Sequence, residues 1–285
     1  MSNQNITVVI TTFRSDTKIV GCLETINSEI NVVIIENSNN PKFKEMIEKK
    51  FRNVKCHLAG ENLGYAKGNN FGLSKVKTKF ALILNPDALL DVNAINNFFI
   101  TAKKNSNFSI IGPLIQEESN LKNEDNHQTY TLKETSSVKG FAMFLNMEQF
   151  KEIGFFDEKF FIYLEEIDLC KRLKKLGKKI FLDSSIKILH SGGSSHDIEV
   201  NYEMELSRNW HWMWSSFYFY KKHNGYNFSL IKFLPKLFSS LLKTIFYKLI
   251  FSKNKSSIYY QRFSGLFNSM VGKKSWYRPK VNQIN

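Results

Sequence analysis

Asp87 is the first residue whose type and setting indicate chemistry. It ends the segment 82–87, in which a run of apolar residues is followed by an Asn-Pro-Asp turn. A strand here would deliver the carboxylate to the rim of a sheet, where it could hold a divalent metal beside a diphosphate. An ordinary surface turn has the same sequence, so this motif alone leaves both interpretations open.

Three further carboxylates, Glu165, Glu166 and Asp168, fall at the start of a helix predicted over 164–176. Acidic residues in a first turn complement the helix dipole, which is a sufficient structural reason for them. The closeness of the three carboxylates to one another adds a chemical reason. A carboxylate beside others has a raised pKa, which suits a general base that takes a proton from a hydroxyl group near neutral pH.

His190 is the third candidate. It follows a strand pair predicted around 179–189 and precedes the glycines of Ser191-Gly192-Gly193. A single histidine is more often structural than functional, but imidazole is also a competent metal ligand. On sequence alone, both roles stay open.

The elements that position these residues follow from the hydrophobic pattern. Short apolar runs predict strands near 6–11, 31–36, 53–58 and 79–84, and helix-like segments lie between them. This alternation predicts an α/β fold with a mostly parallel central sheet flanked by helices. Three polar clusters then share the rim at the carboxyl ends of strands, where ligands bind in such sheets: Thr11-Thr12-Phe13, Glu36-Asn37-Ser38 and Asn85-Pro86-Asp87.

Farther along the chain, the polar segment 114–136 predicts a long surface loop, and residues 138–145 predict another strand. Neither of the two commonest phosphate-binding glycine motifs, G-x-G-x-x-G or G-x-x-x-x-G-K-[ST], follows any predicted strand. A carboxylate-held metal is therefore the alternative way to bind a nucleotide diphosphate.

Seven motifs in order resemble family 2 glycosyltransferases, and among them the bacterial rhamnosyltransferase-like enzymes of cell-surface polysaccharide assembly. The resemblance covers roughly residues 5–225. Its motifs are Thr12-Phe13-Arg14, Glu36-Asn37-Ser38, the 62–70 segment NLGYAKGNN, Asn85-Pro86-Asp87, the 154–158 segment GFFDE, the 163–172 segment YLEEIDLCKR and His190.

The resemblance implies a GT-A fold, which is Rossmann-like, and an inverting transfer from a nucleotide-diphosphate sugar with Mg²⁺ or Mn²⁺. Asp87 would bind the metal and His190 would complete the metal or diphosphate site. Glu166 would be the catalytic base, with Glu165 and Asp168 as lesser candidates. The residues that would contact the nucleotide or its phosphates are Thr12, Phe13, Glu36, Asn37, Gly64, Lys67, Asn69 and Asn85.

The sequence departs from the family pattern at two of these positions. Glu166 and Glu36 each stand where the family usually has Asp. The resemblance alone suggests dTDP-rhamnose as donor and a glycan or polyprenyl-linked acceptor.

Charge and cysteine content limit the other possibilities. Residues 201–285 carry 14 basic and 2 acidic side chains, whereas residues 1–200 carry 26 and 24. A nucleic-acid binder is therefore disfavoured despite a pI near 9.5, because the first 200 residues are nearly neutral and contain no nucleic-acid motif. The other alternative is a relative that binds a nucleotide sugar without catalysis. Three cysteines without disulfide spacing and the absence of a signal-like N-terminus predict a cytoplasmic protein.

The basic C-terminal segment predicts an amphipathic helix with Pro235 in its first turn. Its apolar residues recur near the helical period, at 230, 231, 234, 237, 238, 241, 242, 245, 246, 249 and 250. Such a helix could lie on the anionic inner face of the cytoplasmic membrane or pack against the catalytic domain. We therefore divide the chain into a GT-A domain, 1–225, and a helical tail, 226–285.

Overall fold

The structure is a computed structural model that describes residues 2–114, 132–190 and 201–279. Its described residues form two compact units. The first takes in 2–62, 68–114, 132–156 and 166–190, and the second takes in 63–67, 157–165 and 201–279. These units do not test where the catalytic domain ends, so the boundary at 225 stays a prediction.

An eight-stranded sheet forms the centre of the first unit, in the order β3-β2-β1-β4-β8-β6-β9-β7. The first four of these strands are mutually parallel, β9 is parallel to β6, and β8 and β7 run antiparallel to their neighbours. The strands are β1 (Ile6–Thr12), β2 (Asn31–Glu36), β3 (Val54–Leu58), β4 (Phe80–Leu84), β6 (Phe108–Pro113), β7 (Leu132–Glu134), β8 (Ala142–Asn146) and β9 (Lys179–Asp183). The expected mostly parallel α/β sheet is confirmed.

A separate antiparallel ladder joins β5 (Ala88–Leu90) to β10 (Ile188–His190). Its register sets His190 opposite Ala88. Because Ala88 directly follows Asp87, this small ladder brings the histidine next to the carboxylate although about 100 residues separate them in the chain. The strand pair predicted around 179–189 is wrong as a pair, because β9 lies in the central sheet between β6 and β7, whereas β10 pairs with β5.

Eight α-helices complete the described residues: α1 (Asp16–Glu24), α2 (Pro41–Lys50), α3 (Gly64–Leu73), α4 (Ala94–Lys104), α5 (Glu165–Lys175), α6 (Asn201–Asn224), α7 (Tyr226–Leu249) and α8 (Lys253–Met270). Asn40 begins α2 as predicted, because its side chain accepts a hydrogen bond from the amide of Phe43 at 3.1 Å. Gly177, at φ 69°, follows the end of α5.

The core of the first unit is rich in phenylalanine around β4 and β8. Phe144 lies within about 6 Å, ring centre to ring centre, of Phe80, Phe98, Phe99 and Phe108. Every residue of β4 and of β8 is buried. Central strands that are covered on both faces have unbroken apolar sequences. Both segments could therefore be predicted as strands from the sequence.

The second unit is built mainly from α6, α7 and α8. Gly265 of α8 lies against the backbone of Trp210 in α6, where a Cβ atom would overlap the Trp210 carbonyl oxygen. Lys222 and Tyr218 of α6 hydrogen-bond to Oδ2 of Asp157 at 2.7 and 2.9 Å. Burial raises the pKa of Asp157, but the hydrogen bonds from Lys222, the Lys159 amide and Tyr218 outweigh it and leave the pKa lowered.

Three sequence expectations differ from the structure. Pro235 lies inside α7 rather than in its first turn, because the helix begins nine residues earlier, at Tyr226. The strand expected over 138–145 begins only at Ala142. Residues 132–134 of the expected surface loop form β7, and residues 115–131 of that loop lie outside the described residues.

Candidate active site

Asn85, Asp87 and His190 meet beyond the carboxyl end of β4. The amide of Asn85 donates to the Phe141 carbonyl at 2.8 Å, which fixes the turn after the strand. Nε2 of His190 lies 3.4 Å from Oδ1 of Asp87 and 3.3 Å from Nδ2 of Asn85. The His190 ring stacks on Phe141, with ring centres 4.5 Å apart and planes 14° apart. Three side chains singled out from sequence therefore share one place.

The Asp87 carboxylate is buried next to His190. Its side chain is 1% exposed, and neither oxygen accepts a hydrogen bond among the described residues. A buried carboxylate without donors is costly unless a cation compensates it. Burial, reinforced by the charge of Asp87, raises the pKa of the neighbouring Cys22 thiol to about 12, so this thiol stays protonated.

The donor set fits a divalent metal that is shared with a ligand. A carboxylate oxygen and an imidazole nitrogen are both accepted by Mn²⁺, and carboxylate oxygen by Mg²⁺. With metal-ligand bonds of roughly 2.1–2.2 Å, two adjacent ligand atoms lie about 3 Å apart, close to the separation of Oδ1 and Nε2. Among residues 2–114, 132–190 and 201–279, no group of three or more His, Cys, Asp or Glu could hold a metal.

The neighbouring strands bring Thr12, Glu36 and Asn37 to the same rim. Thr12 pairs with Glu36 in the β1–β2 register, and the amide of Asn37 donates to the Thr12 carbonyl at 2.9 Å. All three residues are buried, and the adjacent Phe13 is half-buried. The predicted clustering of polar residues at this rim is therefore present, while their contacts with a nucleotide stay a prediction.

Glu36 has a clear structural task in this arrangement. Its two oxygens accept hydrogen bonds from the amides of Ser38 and Asn40, each at 2.7 Å. The carboxylate therefore shapes the turn from β2 into α2. Glu36 stands where the family usually has Asp, and its longer side chain reaches the amide of Asn40, four residues ahead.

The glycines of the 62–70 segment serve close packing. A Cβ atom on Gly68 would lie 2.6 Å from Cγ2 of Thr11, so α3 can approach β1 only with glycine at this position. Gly64, at φ 74°, lies against Phe161, and the Tyr65 amide donates to the Phe161 carbonyl at 2.7 Å. Lys67 is exposed and Asn69 is fully buried.

The acidic cluster begins α5, but its three carboxylates have different environments. Glu165 and Asp168 are buried, whereas Glu166 is half-buried. Asp168 accepts a hydrogen bond from Nε of Arg172 at 2.9 Å, and its side chain is fully buried. The guanidinium also donates to the carbonyls of Ile153 and Phe155. Asp168 therefore serves a charge-compensated structural link, whereas Glu166 is the more exposed of the two side chains.

The two residues before this helix are in unusual backbone conformations. Tyr163 has φ 74° and Leu164 has φ 69°, a region that non-glycine residues rarely adopt. Consecutive left-handed residues of this size cost backbone energy and concentrate at functional sites. This strain immediately before the acidic cluster supports a role for that cluster beyond helix capping.

Sequence reasoning missed residues that position the site. Asn70 pairs with the backbone of Phe156, donating to its carbonyl at 2.9 Å and accepting from its amide at 3.0 Å. The Phe141 ring stacks on the His190 ring, and Arg172 of α5 hydrogen-bonds to the 153–155 segment. Arg172 had a signal in the sequence, because it lies four residues after Asp168, the spacing of a helical ion pair, and Asn70 lies in the 62–70 motif, whereas Phe141 had no signal.

Residues 7–170, more than half of the chain, match the family model described as Glycosyl transferase family 2. The chain therefore belongs to glycosyl transferase family 2, as the sequence motifs predicted.

Curated relatives are distant. A low-salt glycan biosynthesis hexosyltransferase, Agl10 of Haloferax volcanii, is 23% identical over 193 residues, which cover 60% of this chain and 62% of that protein. An N-acetylglucosaminyl-diphospho-decaprenol L-rhamnosyltransferase of Mycobacterium tuberculosis is 19% identical over 203 residues, covering 56% and 66%. The chain thus spans just under two thirds of the length of either relative.

Solved structures share the fold across nearly the whole chain. S. aureus TarS 1-349 superposes with a TM-score of 0.55 at 12% identity, covering 96% of this chain and 93% of that one. The mannosyltransferase PcManGT from Pyrobaculum calidifontis, in complex with GDP-Man and Mn²⁺, gives 0.55 at 12% identity, covering 95% and 88%. At such low identity the likeness establishes the fold, and the expected GT-A fold is confirmed.

Proposed function

We propose that this chain transfers a sugar from a nucleotide-diphosphate donor to a hydroxyl of a glycan or lipid-linked acceptor, with inversion at the anomeric carbon. The observation that carries the proposal is the buried carboxylate of Asp87 beside His190 at the carboxyl edge of the sheet, which accepts no hydrogen bond from the part of the chain that the structure describes. This donor set suits a divalent cation and a diphosphate. Mg²⁺ or Mn²⁺ bound there would stabilise the negative charge that develops on the departing diphosphate.

Residues of the chain would bind the cation, the nucleoside and the phosphates. Asp87 and His190 would hold the cation, with Asn85 beside them at the phosphates, and the stacked ring of Phe141 would orient the imidazole. Asn37, Thr12 and Phe13 would bind the nucleoside at the rim of the sheet, in a frame shaped by Glu36. Gly64, Lys67 and Asn69 would lie along the nucleotide and its phosphates, as the family motif implies.

Glu166 would act as the base of the transfer. Its carboxylate takes the proton of the acceptor hydroxyl while that oxygen forms a bond to C1 of the sugar. The bond from C1 to the diphosphate oxygen breaks on the opposite face, and its electron pair leaves with the nucleoside diphosphate. Glu165 and Asp168 are the lesser candidates, and the Arg172 contact of Asp168 makes that residue the weaker of the two.

Rhamnose, supplied as dTDP-rhamnose, is the proposed donor sugar. Support for it comes from the motif resemblance and from the mycobacterial relative, which is an L-rhamnosyltransferase. The same relative suggests a polyprenyl-diphosphate-linked glycan as acceptor and a role in cell-surface polysaccharide synthesis. A cytoplasmic location and contact with the inner face of the membrane through the basic tail complete the proposal. Among the described residues, no helix has the length and hydropathy needed to cross a bilayer.

Ligand-induced thermal stabilisation tests the proposal. Denaturation would be followed with dTDP-rhamnose, UDP-GlcNAc and GDP-mannose, each with and without Mn²⁺. A cognate donor at about 100 times its dissociation constant should stabilise the fold by about 2.7 kcal/mol. Stabilisation by a donor together with metal-dependent hydrolysis or transfer supports an enzyme, whereas stabilisation without turnover indicates a relative that only binds. The absence of any stabilisation would contradict both.

A further inference from the structure

α7 has a packed face and an exposed apolar face. Ser229, Phe233 and Ser240 are buried within the second unit, where Phe233 packs with Phe217 of α6 and Leu266 of α8. A second set of apolar residues on α7 recurs at intervals of three and four: Ile231, Leu234, Phe238, Leu242, Ile245 and Leu249. The side chains in this set are 39–76% exposed. A helix of a globular protein normally turns one apolar stripe to its core, so the second stripe needs a partner.

The apolar stripe continues into the turn between α7 and α8. Ile250 is 54% exposed, and Phe251, at φ 57°, is 88% exposed. Exposing so large an aromatic side chain to water does not stabilise the fold. The end of the helix therefore presents the most accessible apolar group next to the stripe.

The charge around this stripe selects an anionic partner. Residues 226–279 contain ten basic and no acidic side chains. At 100° per residue, Lys248 lies about 85° from the middle of the stripe on one side, Lys232 and Lys243 lie about 115–140° from it on the other, and Lys236 lies nearly opposite the stripe. Apolar side chains between flanking lysines are the pattern of a helix that lies in the interface of an anionic bilayer, where lysines reach the headgroups. An acidic protein surface would match the charges but would not require so broad an apolar stripe.

A cavity of about 620 Å³ opens where α7 ends and α8 begins. Its lining includes Phe251, two lysines and four hydroxyl-bearing side chains: Lys248, Lys253, Thr244, Ser256, Ser257 and Tyr260. Thr244 and Ser256 already donate hydrogen bonds, to the carbonyls of Ser240 and Thr244. The hydroxyls of Ser257 and Tyr260 remain as donors alongside the two ammonium groups.

We infer that this cavity binds the phosphate of an anionic phospholipid while the exposed face of α7 lies in the bilayer interface. Two ammonium groups and hydroxyl donors suit a phosphodiester, and the cavity has the size of a small-molecule site. Phe251 on its lining would enter the acyl boundary next to the bound headgroup. The inference rests on the proposed membrane contact of the tail but does not depend on the identity of the transferred sugar.

Vesicle flotation with the full chain tests this site. Wild type, Lys248→Ser/Lys253→Ser and the control Lys103→Ser/Lys104→Ser would be compared on phosphatidylcholine vesicles with and without phosphatidylglycerol. The control removes the same charge from the end of α4, in the other unit. Near physiological ionic strength, the cavity variant should bind phosphatidylglycerol vesicles about 10- to 30-fold more weakly, and the control less than about 3-fold more weakly. Equal losses in both variants, or no loss, would overturn the site.

Two further arms identify the ligand and check the fold. Phe251→Ser should weaken binding to vesicles without losing the preference for phosphatidylglycerol, because the lysines remain. Inorganic phosphate should not release bound protein; release by millimolar phosphate would assign the cavity to free phosphate instead. Donor-dependent thermal stabilisation should be unchanged in every variant, which separates failure of this site from failure of the proposed transferase activity.

Discussion

Oδ1 of Asp87 lies 3.4 Å from Nε2 of His190, although more than a hundred residues separate them in the chain. The β5–β10 ladder creates this proximity by pairing His190 with Ala88. Phe141, stacked on the imidazole, limits how the ring can turn. The two side chains bring a carboxylate oxygen and an imidazole nitrogen to one place, which is the basis of the proposed metal site.

Asp87→Asn should abolish metal-dependent donor binding. The amide carries no charge to hold the cation, so we expect turnover to fall by about 100-fold or more and donor stabilisation to become independent of Mn²⁺. Isothermal titration with Mn²⁺ and the nucleoside diphosphate measures the binding. Asp91→Asn is the matched control, since Asp91 is exposed four residues later, and it should behave as wild type. Retained Mn²⁺ dependence in Asp87→Asn would place the metal elsewhere.

Glu166→Gln and Asp168→Asn should separate catalysis from stability. Glu166→Gln removes the proposed base from a half-buried position, so kcat should fall by about 100-fold or more with little change in Tm. Asp168→Asn breaks the buried contact with Arg172 and should lower the free energy of unfolding by up to about 3 kcal/mol. Steady-state kinetics and urea denaturation of both variants provide the comparison. Near-normal turnover by Glu166→Gln would move the base to Glu165.

His211 should make the protein less stable in acid. Burial lowers its pKa to about 3, with Arg278 adding to the effect against a hydrogen bond to the Tyr277 carbonyl. The folded state therefore keeps the imidazole neutral, whereas the unfolded chain takes up a proton below its ordinary pKa of 6.5. The stability associated with the neutral ring is complete above pH 6.5 and is lost as the pH falls from there towards 3.

His211→Gln should flatten this part of the pH dependence. Its unfolding free energy should fall less steeply between pH 6.5 and 4, by up to about 1.4 kcal/mol per pH unit. Urea denaturation at several pH values measures both slopes. Parallel curves for the two proteins would show that His211 also titrates normally in the folded state.

Two glycine substitutions should have opposite signs. A methyl group at Gly265 would overlap the Trp210 carbonyl oxygen, so Gly265→Ala should destabilise the protein by about 1–3 kcal/mol. At Gly21 in α1, a Cβ atom would meet Cδ2 of Leu89 at an ordinary 3.8 Å. Gly21→Ala should therefore stabilise the protein by up to about 1 kcal/mol through helix propensity. Equal Tm shifts in thermal denaturation would contradict the close contact between α6 and α8.

The sequence by itself determined the α/β class, the first four strands and the rim on which Thr12, Glu36, Asn37 and Asp87 fall. These features are local, because a buried strand is an unbroken apolar run and polar residues after it must leave the sheet at its edge. The start of α2 at Pro41 and the end of α5 before Gly177 were likewise readable from capping residues. Ordered family motifs identified the class of enzyme.

Only the tertiary structure decided which of the candidate side chains contact one another and which already form structural hydrogen bonds. The pairing of β5 with β10, the stacking of His190 on Phe141 and the pairing of Asn70 with Phe156 join segments that are distant in sequence and have no periodic signal. The same holds for Glu36, whose oxygens hold two backbone amides, and for α7, whose packed and exposed faces are both apolar. Apolar spacing defines a face, but it takes the neighbouring helices to show whether that face is covered.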